Sequence, residues 1–239
     1  MSLSAPPSAA SQPAAERAAE GMPARQRRKA ARPQELLDAA LALFVEKGFA
    51  ATRTEEVAER AGVSKGTLYL YYPSKEDLLK AVIAQNISRE IAESMDRVLR
   101  FEGSSAELLR LMLREWWANA GEASCGGICR LMMSEAGNFP ELASFYEAEV
   151  IQPARSLWRA VLERGMARGE FRPMPVESTI AALMAPMLFL VMQRHTATSC
   201  PQLGSPVDPA EVVERVAELM LDGLCRPAAA PSDADRRPA

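Results

Sequence analysis

Residues 44–80 read FVEKGFAATRTEEVAERAGVSKGTLYLYYPSKEDLLK. Two short helical segments are legible here, joined by a turn containing glycine. The first is expected over about Glu55 to Ala61, with Thr54 as N-cap and Val57, Ala58 and Ala61 facing inward. Gly62 breaks it and Val63 anchors the turn. Ser64 then caps a second segment, Lys65 to Tyr72, which Pro73 stops. Two short helices joined by a three- or four-residue turn with glycine make a helix-turn-helix.

Working outward, a helix is predicted before this pair, from about Pro33 to Lys47, with Pro33 at the first helical position. Leu36, Leu37, Ala40, Leu43 and Phe44 recur on one face, and Gly48 ends it. After the pair, Ser74 caps a long helix running to about Arg100, with Asp77 at its N3 position. Further helices are expected over about 106–120, 127–135, Pro140 to Arg168 with a bend at Pro153, Val176 to Thr196 with a kink at Pro186, and Pro209 to Leu224 capped by Asp208. No strand pattern competes. The fold class is all-α, with about nine helices. Residues 1–24, rich in Ala, Ser and Pro, are expected to form a disordered arm, and 226–239 a disordered tail. Between them stand a helix-turn-helix domain over 25–80 and a larger domain over 81–225.

At 100° per residue, Leu68 and Tyr72 share the inward face of the Ser64-capped helix, and Gly66 and Leu70 point the other way, flanked by Thr67 and Tyr69. That outward face carries no acid. Such a helix suits the DNA major groove: Gly66 admits close approach, Leu70 meets a thymine methyl, and Thr67, Tyr69 and Tyr71 offer hydroxyls to phosphates. The alternative is that both tyrosines pad the helix against its neighbours. Arg25, Arg27, Arg28, Lys29 and Arg32 form a basic cluster before the first helix, either a solvated tail or a second phosphate contact.

Charge is divided along the chain. The net formal charge is −3, but residues 25–80 hold 11 Lys/Arg against 8 Asp/Glu, and the remainder from 81 onward 16 against 21. A basic module joined to an acidic one suits a two-part protein. Cys125, Cys129, Cys200 and Cys225, with no secretory signal, read as reduced thiols in a cytoplasmic protein. The longest apolar run, Ile180 to Met192, is shorter than a membrane span and is interrupted by Pro186, so a buried helix is expected and no membrane partner. Enzymatic activity is not expected: His195 is the single histidine, and no catalytic set, phosphate-cradling loop or metal-spaced pair accompanies it. No cofactor or metal is called for. Cys125 and Cys129, four apart, would share a helix face and could sense oxidants, but Gly126 and Gly127 argue against a helix there, and two small buried residues is the simpler reading.

The stretch over about Pro33 to Val82, above all GVSKGTLY followed by YPSKEDLL, resembles the DNA-binding domain of TetR-family transcriptional regulators. The resemblance implies that Thr54 contacts phosphate, that Lys65, Gly66, Thr67, Tyr69 and Tyr71 line the groove, and that Lys75 grips the DNA backbone. With the basic cluster and the capping residues, the candidate DNA-binding set is Arg28, Lys29, Arg32, Thr54, Ser64, Lys65, Gly66, Thr67, Tyr69, Tyr71, Tyr72 and Lys75. It further implies a homodimer joined through its last two long helices, and a C-terminal cavity for a small hydrophobic effector, with Met112, Trp116, Met132, Met133, Phe145, Trp158 and Met187 as candidate lining. Hydrophobic residues almost all round Val176 to Thr196 fit core plus dimer interface, or core alone. The segment from Leu131 to Pro173 resembles an AefR-like C-terminal subfamily. The expected function is a ligand-responsive repressor binding a palindromic operator. The alternatives are a protein of this fold with a nucleoid-organising role, and a cysteine-based redox-sensing regulator.

Overall fold

The computed structural model describes residues 24–122, 125–196 and 207–225, and side chains within 32–121, 126–194 and 207–225. Of the arm expected over 1–24, only Ala24 is described; residues 1–23, the tail, Cys200 and the side chains of Arg28, Lys29, Cys125 and His195 lie outside the described residues.

Nine helices make up the fold among these residues. α1 spans Ala24–Lys47, α2 Thr54–Arg60 and α3 Lys65–Tyr71. α4 starts as Lys75–Ile83, passes through a π-helical turn at Ala84–Ser88 and continues as Arg89–Arg100. α5 is Ser105–Trp116 with a π-helical turn at Trp117–Glu122, and α6 is Cys125–Glu135. α7 starts as Pro140–Tyr146, widens at Glu147–Ile151 and continues as Gln152–Ala167. α8 is Val176–Thr196 and α9 is Pro209–Leu224. Among the described residues the one β-type pairing is a single bridge between Phe171 and Cys225, which ties the end of α9 to the segment after α7.

Local chemistry explains most boundaries. Ser64 and Ser74 accept the N–H of Thr67 (3.1 Å) and Asp77 (2.9 Å), so α3 and α4 start where the capping residues stand. Gly48 and Gly62 take positive φ, 85° and 64°, at the ends of α1 and α2. Three boundaries differ from expectation. α1 begins at Ala24, so Pro33 lies inside it rather than at its first position. Proline there removes one backbone donor, which a helix extended on both sides tolerates at a cost. Arg53, not Thr54, is the N-cap of α2: it holds extended backbone (φ −103°, ψ 141°), and its N–H donates to Glu56 Oε2 at 3.3 Å. α6 is helical through Gly126 and Gly127, against the expectation of a break. Gly127 is needed there for close packing: a Cβ on it would stand 2.5 Å from Val45 Cγ2 of α1.

Two cores form. The first gathers α1–α3 and the start of α4 around Phe44, Phe49 and Leu68, and it also takes Ile128, Leu131 and Met132 from α6 and Leu142 and Val150 from α7. Phe139 packs edge-on against Phe49, 4.9 Å between centroids, and Arg130 Nη2 donates to the Val45 carbonyl at 3.2 Å. The second core gathers the end of α4 with α5, the later part of α7, α8 and α9 around Trp158, Phe171 and Met187. α8 is by length and composition apolar enough to cross a membrane, longer than its uninterrupted run suggested. Ile180, Leu183, Met187, Leu190 and Val191 bury one side of it in the second core.

Candidate functional site

α3 stands outward from the first core. Leu68 is fully buried and holds it down, while Ser64, Lys65, Gly66, Tyr69 and Leu70 are exposed, Leu70 at 79%. An exposed leucine on a short helix with no acid of its own is a surface prepared for a partner rather than for water. Thr67 is half-buried, with its hydroxyl 2.9 Å from Ser64 Oγ. Tyr71 and Tyr72 are half-buried and packed against the first core. Burial, then Tyr71, push the Tyr72 phenol above its usual pKa.

Three candidates sit differently from their expected roles. Thr54 is buried in the first turn of α2, and its hydroxyl lies 2.9 Å from Tyr69 OH, so it braces α3 on α2. Lys65 ion-pairs with Glu55, and its ammonium lies 5.7 Å from the Tyr69 ring centroid. The hydrogen bond from Lys65 holds the Glu55 carboxyl below the usual carboxylate range, as the one from Lys47 does for Glu56. The two acids at the start of α2 are thus masked by cations. Lys75 differs most. Its ammonium donates to the carbonyls of Phe49 (2.8 Å), Thr52 (3.1 Å) and Ala50 (3.2 Å), and lies 4.5 Å from the Phe49 ring centroid. An ammonium has three donors, and all three are spent inside the protein. In this structure Lys75 staples the α1–α2 loop and does not reach outward. Arg32 is exposed near the middle of α1.

The second half encloses a cavity of about 680 Å³ between α4, α5, α7 and α8, within the ~300–1,000 Å³ range of small-molecule sites. All three π-helical turns lie on it: Asn86 and Ile87 come from the first, Asn119 and Ala120 from the second, Val150 and Ile151 from the third. A π-helical turn inserts an extra residue and splays the side chains around it, and such turns concentrate at functional sites. Of the candidate lining residues, Met112, Trp116 and Trp158 stand on the cavity wall. Met132 and Phe145 do not: α6 and the first part of α7 turn them toward the first core, where Phe145 meets Lys80 at 5.9 Å from its centroid. Met187 is fully buried in the second core, and Met133 is exposed. Sequence reasoning passed over Ile180 and Met184, one helical turn apart on α8, and a polar group on α4 and α5: Glu90, Ser94, Glu115 and Asn119.

Cys129 borders the cavity and receives the Tyr146 hydroxyl at 3.4 Å. Burial pushes its thiol up from the usual pKa, the opposite of what a reactive thiolate needs. Among the described residues no group of three or more His, Cys, Asp or Glu could hold a metal.

Comparison with known proteins places both halves. Residues 36–82 match the family model of bacterial regulatory proteins, tetR family, and residues 102–214 match a tetracyclin repressor-like C-terminal domain. The latter gives no support to the narrower AefR-like grouping. The HTH-type transcriptional repressor KstR2 of Rhodococcus jostii (strain RHA1) is 29% identical over 200 residues, 83% of this chain and 94% of the relative. The fatty acid metabolism regulator protein of Bacillus subtilis (strain 168) is 24% identical over 191 residues, 80% and 94%. Among solved structures, the transcriptional regulator FadR from Bacillus subtilis in complex with stearoyl-CoA shares the fold: TM-score 0.60, 20% identity, covering 80% of this chain and 98% of that one. With a helix-turn-helix at one end, a helical domain at the other and matches across both, the chain belongs to the TetR family of bacterial regulatory proteins.

Proposed function

We propose that this regulator is a ligand-responsive repressor that binds a palindromic operator as a homodimer. The observation that carries the reading is the course of α4. Its first turns pack in the core of the helix-turn-helix through Leu78, Leu79 and Val82, and its π-helical turn and the residues after it form a wall of the cavity. One helix thus has an end in each functional part, and a ligand that changes its tilt changes the spacing of two α3 helices across a dimer. Half-sites lie ~34–36 Å apart, so a small tilt is enough to break the match. The ligand acts only through its differential affinity for the two states, typically ~1–3 kcal/mol.

The proposed DNA contacts are the exposed residues Ser64, Lys65, Gly66, Tyr69 and Leu70, with Arg32 and the basic cluster at the start of α1 on the flanking phosphates. The proposed dimer face is on α8 and α9, where Phe189 and Leu219 are 61% and 65% exposed. The mostly apolar cavity suits an effector with a large apolar body. That agrees with relatives named for fatty acid metabolism and a solved neighbour carrying stearoyl-CoA.

The test is a mobility-shift titration on the DNA upstream of the protein's own gene, across a salt series, with and without stearoyl-CoA and 1-dodecanol. A discrete complex that weakens steeply with salt is expected, and a probe that raises the melting temperature should release it. A probe that stabilises the protein but leaves operator affinity unchanged overturns ligand gating. Phe189→Glu should give a monomer that no longer shifts the DNA; a shifted monomer overturns the dimer.

A further inference from the structure

The cavity is apolar over most of its surface, but the side formed by α4 and α5 is not. Glu90, Ser94, Glu115 and Asn119 face it there. The cation that serves them is Arg97, which stands behind the lining. Its Nη2 donates to Ser94 Oγ (2.7 Å) and Glu90 Oε1 (3.1 Å) and lies 3.2 Å from Glu115 Oε2. Burial works against the Arg97 charge, but the Glu90 hydrogen bond and the field of Glu115 outweigh it and raise its pKa. Two carboxylates therefore share one guanidinium, and that side of the cavity keeps an excess negative charge.

The side-chain amide beside the two acids adds no charge to offset them. Asn119 Nδ2 donates to Glu90 Oε1 at 2.9 Å, so its amide turns an oxygen to other partners. Glu115 Oε2 is shut off from solvent, with Arg97 Nη2, 3.2 Å away, as its ion-pair partner. A carboxylate that shares its one cation with a second carboxylate has acceptor capacity left for a donor brought by a ligand.

We propose that the cavity selects an effector whose apolar body carries a hydrogen-bond donor, a hydroxyl or an ammonium, seated on Glu115 and Glu90, and that it disfavours a carboxylate at that position. This rests on the reading of the cavity as the effector site. Among the described residues the one cation on the lining is Arg155, exposed on α7; Glu177, also on the lining, is taken by Arg159. A carboxylate seated at Arg155 is the competing arrangement.

The test uses the full chain and three probes of equal length below their micellar concentrations: dodecylamine, 1-dodecanol and dodecanoate. Trp116 and Trp158 on the cavity wall report binding by fluorescence quenching. Near neutral pH the amine and the alcohol should each bind about tenfold or more tighter than dodecanoate, since a charge-assisted hydrogen bond replaces a like-charge contact. Amine above alcohol identifies a cationic head, and equal affinities a neutral one. Glu115→Gln should reduce the amine's advantage about tenfold and leave the alcohol within about twofold. The wild-type ranking needs no variant, so a poorly folded Glu115→Gln does not rescue the idea. Dodecanoate binding as tightly as the other two overturns this inference and leaves the cavity as effector site. No quenching by any of the three overturns both.

Discussion

Replacing Lys75 by methionine separates two roles that a lysine at the start of a helix can have. The methionine keeps the apolar stem and removes the ammonium, leaving the Phe49, Ala50 and Thr52 carbonyls without their donor. A hydrogen bond to a charged group contributes about 1.5–3 kcal/mol, and the contact with the Phe49 ring about 0.5–1 kcal/mol. The three carbonyls share one ammonium and the loop is partly open to water, so the sum is not additive. A net loss of about 2–3 kcal/mol follows, which for a chain of this size is a fall of roughly 5–10 °C in melting temperature. Lys75→Arg should recover little of it, because a planar fork cannot converge on three carbonyls as an ammonium does. The DNA readout goes the other way. Removing a phosphate contact lowers the slope of log affinity against log salt by about 0.9, and a staple internal to the protein should leave the slope unchanged. Thermal melts and a salt series of mobility shifts on the same preparation decide it. A melting point within about 1 °C of wild type, with a slope reduced by about one, would refute the staple and restore Lys75 to the DNA backbone.

Glu55→Gln releases Lys65 from its ion pair and should tighten operator binding while raising the salt slope by about 0.9; an unchanged slope means Lys65 stays off the phosphates. Gly127→Ala drives a methyl group into Val45 and should cost about 1–3 kcal/mol in a urea melt. Val45→Ala in the same chain should return part of it, and strict additivity would show that the clash is not the cause. Acid should destabilise the protein. Glu55, held low by Lys65, Glu214, held low by Arg114, and Glu170, held low by Ser105, have folded pKa values below the ordinary 4.5. Their stabilisation is complete above that value and is lost as pH falls through the folded values, so the urea midpoint should be flat from neutral to about pH 5 and drop below it. A midpoint that climbs on acidification contradicts the pairing.

What the sequence makes legible is local. Ser64, Ser74 and Asp208 cap helices within three residues of themselves, so α3, α4 and α9 can be placed from spacing alone. Where the deciding partner is distant, the same residues mislead. A lysine at the head of α4 looks like an outward cation until the carbonyls more than twenty residues upstream are known to converge on it. Thr54 suits an N-cap by type, yet Arg53 takes the extended backbone and Thr54 braces Tyr69 across the α2–α3 pair. Apolar periodicity has a related blind spot. It shows that Met132, Phe145 and Met187 face inward but not toward which interior: α6 and the head of α7 turn Met132 and Phe145 to the core of the helix-turn-helix, while Cys129 and Tyr146 of the same elements reach the cavity.

The polar side of the cavity was hidden for a different physical reason. Glu90, Ser94 and Arg97 follow one another at helical spacing, the pattern of a solvated face, and only α5 laid against that face, bringing Glu115 and Asn119, turns it into an interior surface. A helix wet along one stripe and a helix lining a pocket have the same sequence. The difference lies in whether the facing helix supplies enough donors to satisfy the charges. Here it supplies another carboxylate and an amide already spent on Glu90, and the shortfall that results, one guanidinium for two acids, is a property of the pair of helices that neither sequence carries alone.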